Sequence, residues 1–369
     1  MKSFLILFTT LILFYSCQNE QAIISKFDEQ ADKIRKELIP DKALDVFKAE
    51  LKVENGKWIV SGETTVEKTQ NAVSSLADSL LGDKYENQFQ MLPHPDLGDS
   101  THAIVTVSVA HLRGRPSHSS EMVDEAIMGR PMQLLKRRGG WFLAKTNYGY
   151  VGYVQNKQIV RMSREGTKEW AESDRVLVTA LSGRIFTEKS ENSTPVCDIV
   201  INVNLKKLAS ERKWTEVALP NGQTGFIRNN LIKDLDGEYD QSLPAIIKTA
   251  KSMLGLPYLW GGNSSKGNDC SGFTQTVFTA HGIQLPRDSR QIALIGEKIT
   301  PDDNYSNVKP GDLIFFGESE RVTHVAISLG GDEFIHQAGN VHINSFNPEK
   351  DNYNAYRKRV FKHIRRVVK

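Results

Sequence analysis

Short stretches of alternating apolar and polar residues, separated by turn-forming residues, limit what the middle of this 369-residue chain can fold into. The first group of such stretches covers residues 103–109, 131–135, 141–145 and 149–154. Alternation with a period of two places successive side chains on opposite faces of a strand, and closely spaced short strands are typical of a small all-β barrel. A chain of this length holds two to four domains, so we expect the barrel to be one of several modules.

The pattern occurs twice. Trp141 precedes Gly152-Tyr153-Val154 by the same separation at which Trp214 precedes Gly225-Phe226-Ile227. The first copy resembles a bacterial SH3 domain in the segments His111-Leu112-Arg113-Gly114-Arg115-Pro116-Ser117, Glu121-Met122-Val123 and Gly149-Tyr150-Val151-Gly152-Tyr153-Val154. We therefore predict two tandem SH3-like barrels, residues 101–165 and 172–235, although the second lacks the Arg-x-x-Pro spacing of the first. Such a repeat does not by itself identify a ligand.

The N-terminus has the pattern of an export signal. Lys2 is followed by an apolar run over residues 4–15, shorter than the ~20 residues of a membrane-spanning helix, and the run ends in Ser16-Cys17. A small residue before cysteine at this place resembles a bacterial lipoprotein signal, residues 1–17, whose cleavage leaves Cys17 as the lipidated N-terminus. We therefore expect a cell-envelope protein, lipid-anchored or periplasmic; the alternative is a soluble secreted protein cut nearby.

Residues 18–100 predict an N-terminal α+β module. Apolar residues recur at helical spacing over 22–40 and again over 66–81, and two short strands, 47–53 and 58–62, flank the turn at Asn55-Gly56. Residues 93–99 have the composition of a linker. The module contains no recognisable chemistry, so we expect a spacer or docking role.

Charge and cysteine content narrow the function classes. The net charge of +3 is too small to indicate a nucleic-acid partner, and the basic segment 357–369 is read as a solvated face of the last element. The three cysteines are Cys17, Cys197 and Cys270. With Cys17 lipidated and Cys270 free, no disulfide framework is expected. Cys197 is predicted to be a small apolar residue of a strand.

Cys270 has the setting of a nucleophile. It follows a turn-like segment, 261–267, and precedes a predicted helix over 271–280, which places it on the first turn. The unpaired N–H groups and the positive end of the helix dipole at that position favour a thiolate. The alternative is a buried structural cysteine.

Two histidines are predicted on neighbouring strands. His324 begins a strictly alternating stretch to Leu329, Gly330-Gly331 forms a hairpin turn, and the return strand carries His336 roughly opposite His324. A cysteine-bearing helix on an antiparallel sheet with two histidines is the layout of a papain-like thiol hydrolase. A Cys–His–His zinc site is the competing interpretation, but structural zinc needs four ligands.

Residues 240–369 resemble the NlpC-type cell-wall peptidases. The resemblance rests on Tyr258-x-Trp260-Gly261-Gly262, Asp269-Cys270-Ser271-Gly272-Phe273, Arg287-Asp288-Ser289, Pro310-Gly311-Asp312-Leu313, His324-Val325-Ala326-Ile327 and Ile335-His336. It implies a multidomain α+β protein, in which the papain-like domain has helices on an antiparallel sheet and follows the two SH3-like barrels and the N-terminal module. It also implies hydrolysis of the γ-D-glutamyl–L-diamino acid bond of peptidoglycan stem peptides.

The same resemblance assigns site residues. Cys270 is the nucleophile, His324 the general base, His336 the residue that orients it, and Tyr258 a donor to the oxyanion. Asp269, Ser271, Asp288 and Ser289 fall at substrate-binding positions. No cofactor or metal is expected.

In related enzymes the SH3-like domain narrows the cleft and helps to recognise a free L-Ala amine. An ammonium group needs a carboxylate, and Asp269, Glu121 and Tyr150 are our candidates for this contact. The alternative class of function is a non-catalytic envelope lipoprotein scaffold that binds wall peptides. A third hypothesis keeps the fold but assigns acyl transfer or N-acetylmuramoyl-amide cleavage.

Overall fold

The computed structural model describes residues 2–235 and 237–368, with side chains from residue 19 onward. The predicted lipidation site, Cys17, lies outside the described side chains, so the lipoprotein signal stays a prediction. Among the described helices, none combines the length and the apolar character needed to cross a bilayer. The chain divides into two compact units, one ending at Gly98 and the other beginning at Asp99.

The first unit is the predicted α+β module. Its elements are α1 (Lys2–Leu38), β1 (Phe47–Glu54), β2 (Lys57–Thr64), α2 (Glu67–Leu81) and β3 (Tyr85–Met91). The sheet order is β1-β2-β3, with β1 antiparallel and β3 parallel to β2. Asn55 and Gly56 both adopt positive φ, 51° and 75°, as the predicted two-residue hairpin turn requires. The core contains Phe27, Leu51, Val60, Val73 and Ala77.

The second unit begins with the two SH3-like modules. The strands of the first are β4 (His102–Val105), β5 (Val109–Arg113), β6 (Met122–Ile127), β7 (Pro131–Arg138), β8 (Trp141–Thr146), β9 (Val151–Gln155) and β10 (Ile159–Met162). After α3 (Arg164–Glu172) follow β11 (Arg175–Val178), β12 (Ser182–Phe186), β13 (Pro195–Val200), β14 (Asn204–Ser210), β15 (Trp214–Ala218), β16 (Thr224–Arg228) and β17 (Ile232–Asp234).

Both modules have the same topology. The first sheet runs β10-β4-β7-β8-β9-β5-β6, and the second runs β13-β12-β16-β15-β14-β11-β17, which is the same order read from the other edge. Trp141 and Trp214 each begin the equivalent strand and are buried. Within the described residues the edge strands of each sheet do not pair with each other, so the predicted barrels are open rather than closed.

The C-terminal part has helices on an antiparallel sheet, as predicted. Its elements are α4 (Leu243–Ser252), β18 (Asn263–Ser264), β19 (Gly267–Asn268), α5 (Cys270–Thr279), α6 (Ser289–Ile292), β20 (Glu297–Ile299), β21 (Leu313–Phe316), β22 (His324–Gly330), β23 (Glu333–Ala338), β24 (Asn340–Ser345), α7 (Ala355–Arg359) and β25 (Phe361–Arg366). The sheet order is β20-β25-β21-β22-β23-β24. Phe273 and Val277 of α5 share one core with Val325 and Ile327 of β22, so the cysteine helix lies against the histidine strand.

The SH3-like modules pack directly on the C-terminal part. The Asn202 side chain donates to the Thr276 carbonyl at 3.0 Å, and Lys266 pairs with Asp198 at 2.6 Å. Gly261 has a φ of 72°, and a Cβ added there would lie 2.3 Å from the Met122 carbonyl oxygen. Only glycine allows strand β6 to approach this loop so closely. The first SH3-like module therefore forms part of the surroundings of the cysteine helix.

Candidate active site

The start of α5 is fixed by its N-cap residue. The Asp269 carboxylate accepts hydrogen bonds from the Gly272 backbone N–H at 2.7 Å and from the Ser271 hydroxyl at 3.1 Å. Aspartate at this position satisfies a helix-start N–H that has no partner within the helix. A Cβ at Gly272 would lie 2.0 Å from the Gly262 carbonyl oxygen, so the helix meets the preceding loop without space for a larger residue. Cys270 is consequently held as the first residue of α5.

Cys270 lies beside the start of strand β22. The Val325 backbone N–H is directed at the Cys270 sulfur, and Val325 directly follows His324, the first residue of the strand. Cys270 is 9% exposed, and burial, followed by the charge of Asp269, raises the pKa of its thiol to about 11. Desolvation therefore opposes the helix-end effect from which the sequence predicts a thiolate.

A hydrogen-bonded chain leads away from His324. His324 Nε2 lies 2.8 Å from His336 Nδ1, and His336 Nε2 lies 2.9 Å from Asn344 Oδ1. Because the Asn344 amide nitrogen donates to the Asn352 carbonyl at 3.1 Å, the atom that faces His336 is the oxygen. His336 therefore donates from Nε2 and accepts at Nδ1, and His324 donates from Nε2. This arrangement leaves His324 Nδ1 unprotonated and able to accept a proton.

The register of the two strands differs slightly from the prediction. Ile327 pairs with Ile335 and Ser328 with Phe334, so His336 lies diagonally across from His324 rather than directly opposite. The contact still forms because the two rings meet edge to face, with centroids 5.0 Å apart. A third ring, His342, lies with its centroid 4.5 Å from that of His336.

Both buried histidines are neutral in the resting protein. Burial lowers the pKa of His336 to about 3 and, together with the charge of Arg357, lowers the pKa of His324 well below its ordinary value. A neutral imidazole can act as a general base, and His324 directly precedes Val325, whose N–H is directed at the Cys270 sulfur. Proton transfer then accompanies nucleophilic attack rather than preceding it.

Acidification from pH 7 to 4.5 is expected to lower the free energy of unfolding of the second unit by about 2–3 kcal/mol through His336 alone. An unfolded histidine binds a proton as the pH falls through about 6.5, whereas folded His336, with a pKa of about 3, does not. The unfolded state therefore binds more protons and is favoured. Urea unfolding across this pH range measures the effect, and His336→Gln should flatten it. If the free energy of unfolding of His336→Gln depends on pH as in the wild type, then His336 is not a buried neutral imidazole.

Arg287 joins the helix start to the first SH3-like module. It is 2% exposed; its Nη1 and Nη2 donate to the two oxygens of Asp269 at 3.0 and 2.7 Å, and its Nε donates to Asp124 of β6 at 2.5 Å. Burial opposes its charge, but the carboxylates of Asp269 and Asp124 hold the pKa of Arg287 well above its ordinary value. The same cluster includes the Ser271 and Tyr148 hydroxyls and the Asn263 amide.

This cluster gives Asp269 and Ser271 a structural role at the helix start. One Asp269 oxygen accepts from Ser271, Gly272 and Arg287, and the other accepts from Gly261 and Arg287. The Ser271 hydroxyl donates to Asp269 and accepts from Arg287. These hydrogen bonds position the start of α5. The substrate contacts predicted for Asp269 and Ser271 stay a prediction.

The remaining predicted site residues are Tyr258, Tyr150, Asp288, Glu121 and Ser289. Tyr258 is 37% exposed, and burial, with the neighbouring charges of Cys270 and Asp269, raises its pKa to about 12, so its hydroxyl keeps its proton. The Tyr150 hydroxyl hydrogen-bonds the Asp288 carboxylate, which joins the SH3-like module to the C-terminal part. Glu121 accepts from the Trp260 indole N–H at 2.7 Å. Ser289 is buried next to Asp288 at the start of α6.

Sequence reasoning missed Asp124, Tyr148 and Asn344, and gave Arg287 no role. The local signal for this cluster in the sequence was the arginine that directly precedes Asp288-Ser289. That residue, Arg287, is buried in the folded protein. Among the described residues, no three His, Cys, Asp or Glu side chains come together in a metal-binding arrangement. Cys197, predicted to be a small apolar strand residue, lies on β13 and packs against the core of the second SH3-like module.

Comparisons with known proteins agree with this geometry. Residues 255–366 match the NlpC/P60 family, and residues 112–159 match the bacterial dipeptidyl-peptidase SH3 domain. The chain is 30% identical to the gamma-D-glutamyl-L-lysine dipeptidyl-peptidase of Bacillus cereus over 60% of this chain and 68% of that protein. It is 29% identical to dipeptidyl-peptidase 6 of Lysinibacillus sphaericus over 68% of this chain and 94% of that protein.

A solved structure is similar to this chain over more than the catalytic domain. The crystal structure of an NlpC/P60 family protein from Bacillus cereus superposes with a TM-score of 0.64 at 25% identity, covering 73% of this chain and all of that one. The similarity therefore extends beyond the catalytic domain to the modules that precede it. This chain belongs to the NlpC/P60 family and is a cysteine peptidase.

Proposed function

We propose that this protein hydrolyses the γ-D-glutamyl–L-diamino acid bond of peptidoglycan stem peptides that carry a free N-terminal L-Ala. The observation that carries the proposal is the hydrogen-bonded chain from His324 through His336 to Asn344, at the start of the strand whose Val325 N–H is directed at the Cys270 sulfur. The first SH3-like module helps to build this site. The printed names of the Bacillus cereus and Bacillus subtilis relatives, gamma-D-glutamyl-L-lysine dipeptidyl-peptidase, support this bond specificity.

The residues supply the steps of an acyl transfer. As the Cys270 sulfur forms a bond to the γ-carbonyl carbon, its proton passes to His324 Nδ1. The oxyanion of the tetrahedral intermediate receives hydrogen bonds from the Tyr258 hydroxyl and the Cys270 backbone N–H, each worth ~3–4 kcal/mol in comparable sites. His324 then gives the proton to the departing amine, and the C–N bond breaks. Water, deprotonated by the same imidazole, cleaves the resulting thioester.

His336 and Asn344 make this sequence possible without themselves reacting. When His324 is protonated it still donates from Nε2 to His336 Nδ1, so its orientation does not change during the cycle. The Asn344 oxygen accepts from His336 Nε2 and prevents that ring from turning. His324 Nδ1 is therefore the nitrogen that remains able to accept a proton throughout.

The substrate amine is proposed to lie at the meeting point of the two modules. Asp288, with 25% of its side chain exposed, shares its carboxylate with the Tyr150 hydroxyl and with Arg290 at 2.9 Å. Glu121, oriented by Trp260, provides a second carboxylate on the SH3-like side. An ammonium group between two carboxylates and a phenol oxygen is held by charge-assisted hydrogen bonds. An amine already converted to an amide has neither the charge nor the donors.

N-acetylation of the substrate is expected to lower kcat/KM by ~10- to 100-fold, the loss that accompanies one desolvated charge-assisted hydrogen bond. The measurement compares L-Ala-γ-D-Glu-L-Lys with its N-acetyl form by product mass. Asp288→Asn should reduce the ratio between the two substrates towards one. Asp234→Asn removes an acid of the second SH3-like module that pairs with Lys207 and should leave the ratio unchanged. Equal rates on both peptides in the wild-type protein would reject the amine site, and a γ-D-glutamyl bond left intact would reject the activity.

We also propose that Cys17 carries a lipid, that the protein acts in the cell envelope, and that its activity serves wall turnover or recycling. The support is the sequence pattern of residues 1–17 alone. Growth with an alkyne-labelled fatty acid should label the wild-type protein and not a Cys17→Ser variant. Recovery of both proteins in the soluble fraction without label would contradict the anchor.

A further inference from the structure

Helix α7 is hydrogen-bonded to Asn344, the residue that also accepts from His336. Its N-cap residue, Asn354, accepts from the Arg357 backbone N–H at 2.9 Å and donates from Nδ2 to Asn344 Oδ1 at 2.8 Å. The same Asn344 oxygen accepts from His336. The position of Arg357 is therefore set by the groups that orient the catalytic base.

The Arg357 guanidinium lies on the side of the site where His324 stands. Its Cζ is 5.4 Å from the centroid of the Phe316 ring, and the Phe316 ring is 5.7 Å from that of His324. Burial lowers the pKa of Arg357, while the neighbouring Tyr356 and Cys270 favour its charge. The charge of Arg357 in turn lowers the pKa of His324 and His336. The cation is thus close to the reacting groups.

This cation has no acidic partner within the described part of the chain. Arg287 and Arg366 are matched by aspartates at 2.5–2.7 Å, whereas none of the carboxylates in residues 2–235 and 237–368 lies within ion-pairing distance of Arg357. A half-buried guanidinium without a counter-ion carries a desolvation cost that a bound anion would offset. Its planar fork suits a carboxylate better than a single point charge would.

The geometry also indicates which part of the substrate meets Arg357. The general acid must stand on the side of the departing amine, because it protonates that nitrogen. Arg357 is close to His324, whereas the proposed function assigns the L-Ala amine to Glu121, Tyr150 and Asp288. The group that faces Arg357 therefore belongs to the amino acid released by cleavage.

We propose that Arg357, lying over the Phe316 ring, binds a carboxylate of the departing diamino acid. This inference rests on the proposed function. The carboxylate has two possible sources. One is the α-carboxylate of a diamino acid at the end of a tripeptide, and the other is the distal carboxylate of diaminopimelate within a longer stem. An L-Lys residue followed by D-Ala offers neither.

The test compares Arg357→Gln with wild type on four peptides. The first pair is L-Ala-γ-D-Glu-L-Lys with a free C-terminal carboxylate and the same peptide as its carboxamide. The second pair is L-Ala-γ-D-Glu-diaminopimelate-D-Ala-amide with its distal carboxylate free or amidated. Arg357→Gln should lower kcat/KM by ~10- to 100-fold on at least one free-carboxylate peptide and by less than ~2-fold on its amidated partner. The pair that responds identifies the carboxylate.

Two further variants serve as controls for the charge and the position of Arg357. Arg357→Lys keeps the charge without the fork and should retain part of the preference. Arg359→Gln removes the same charge from the same helix at an exposed position and should retain all of it. Equal losses on free and amidated peptides, or no loss on any, would overturn the subsite while hydrolysis persists. If wild type cleaves none of the peptides, the proposed function fails and the subsite fails with it.

Discussion

Replacing Cys270 with alanine is expected to lower kcat/KM on L-Ala-γ-D-Glu-L-Lys by at least ~10⁴-fold, the scale on which loss of a nucleophile acts in enzymes of this type. The thioester cannot form without the Cys270 sulfur, because alanine has no nucleophilic side-chain atom. Because Cys270 is buried and small, removal of its sulfur should leave the fold intact. Product formation measured by mass, with thermal unfolding as a fold check, gives the result.

Cys197→Ala is the matched control. Cys197 is half-buried in the second SH3-like module, and burial, with the charge of Asp198, raises its pKa to about 11, as for Cys270. The two thiols therefore resemble each other in ionisation and differ in their neighbours. Cys197→Ala should keep kcat/KM within ~2-fold of wild type, as expected for a substitution away from the machinery. A Cys270→Ala protein with more than a tenth of wild-type activity would contradict the assignment of the nucleophile.

His324→Ala should cost nearly as much as Cys270→Ala, and the double variant should be no worse than either. Residues that act as one unit give non-additive losses, because removal of the first member already abolishes the step in which the second takes part. Independent, multiplying effects would mean that His324 is not the base that receives the thiol proton.

Local spacing is what allowed much of this architecture to be predicted. The hairpin turn at Asn55-Gly56, the equivalent positions of Trp141 and Trp214, and the position of Cys270 at a helix start each depend on residues within a short stretch. Helix caps, turns and strand alternation are local physical signals, so a single sequence carries them.

The features that escaped prediction depend on distant residues. Arg287 and Asp124 are 163 positions apart, and neither periodicity nor a motif in one segment can pair them. The burial that raises the pKa of Cys270 could not be predicted for the same reason. The helix start is visible in the sequence, but the packing that buries the sulfur comes from another part of the chain. The hydrogen bonds from Arg287 to Asp269 likewise join two separate segments, and the motif around Asp269 does not predict them.

Arg287→Met is expected to destabilise the second unit by ~3–5 kcal/mol, the usual consequence of removing one partner from a buried ion pair. Arg287 forms five hydrogen bonds, to Asp269, Asp124, Ser271 and the Gly262 carbonyl, and the substitution leaves two carboxylates without their cation. Urea unfolding of the second unit measures the loss. Lys207→Met is the matched control: it breaks a partly exposed pair with Asp234, and should cost no more than ~1 kcal/mol.

The double variant Arg287→Met/Asp124→Asn distinguishes a missing cation from a packing defect. Replacing Asp124 by its neutral isostere removes one of the orphaned charges, so the double variant should be less destabilised than the sum of the single ones. Asp269 remains unpaired, so recovery should be incomplete, and kcat/KM should stay depressed because the N-cap of α5 is disturbed. Strict additivity would show that Arg287 and Asp124 do not act through their charges. The first SH3-like module would then contribute packing alone to the nucleophile's helix, and the site would owe its shape to the C-terminal part.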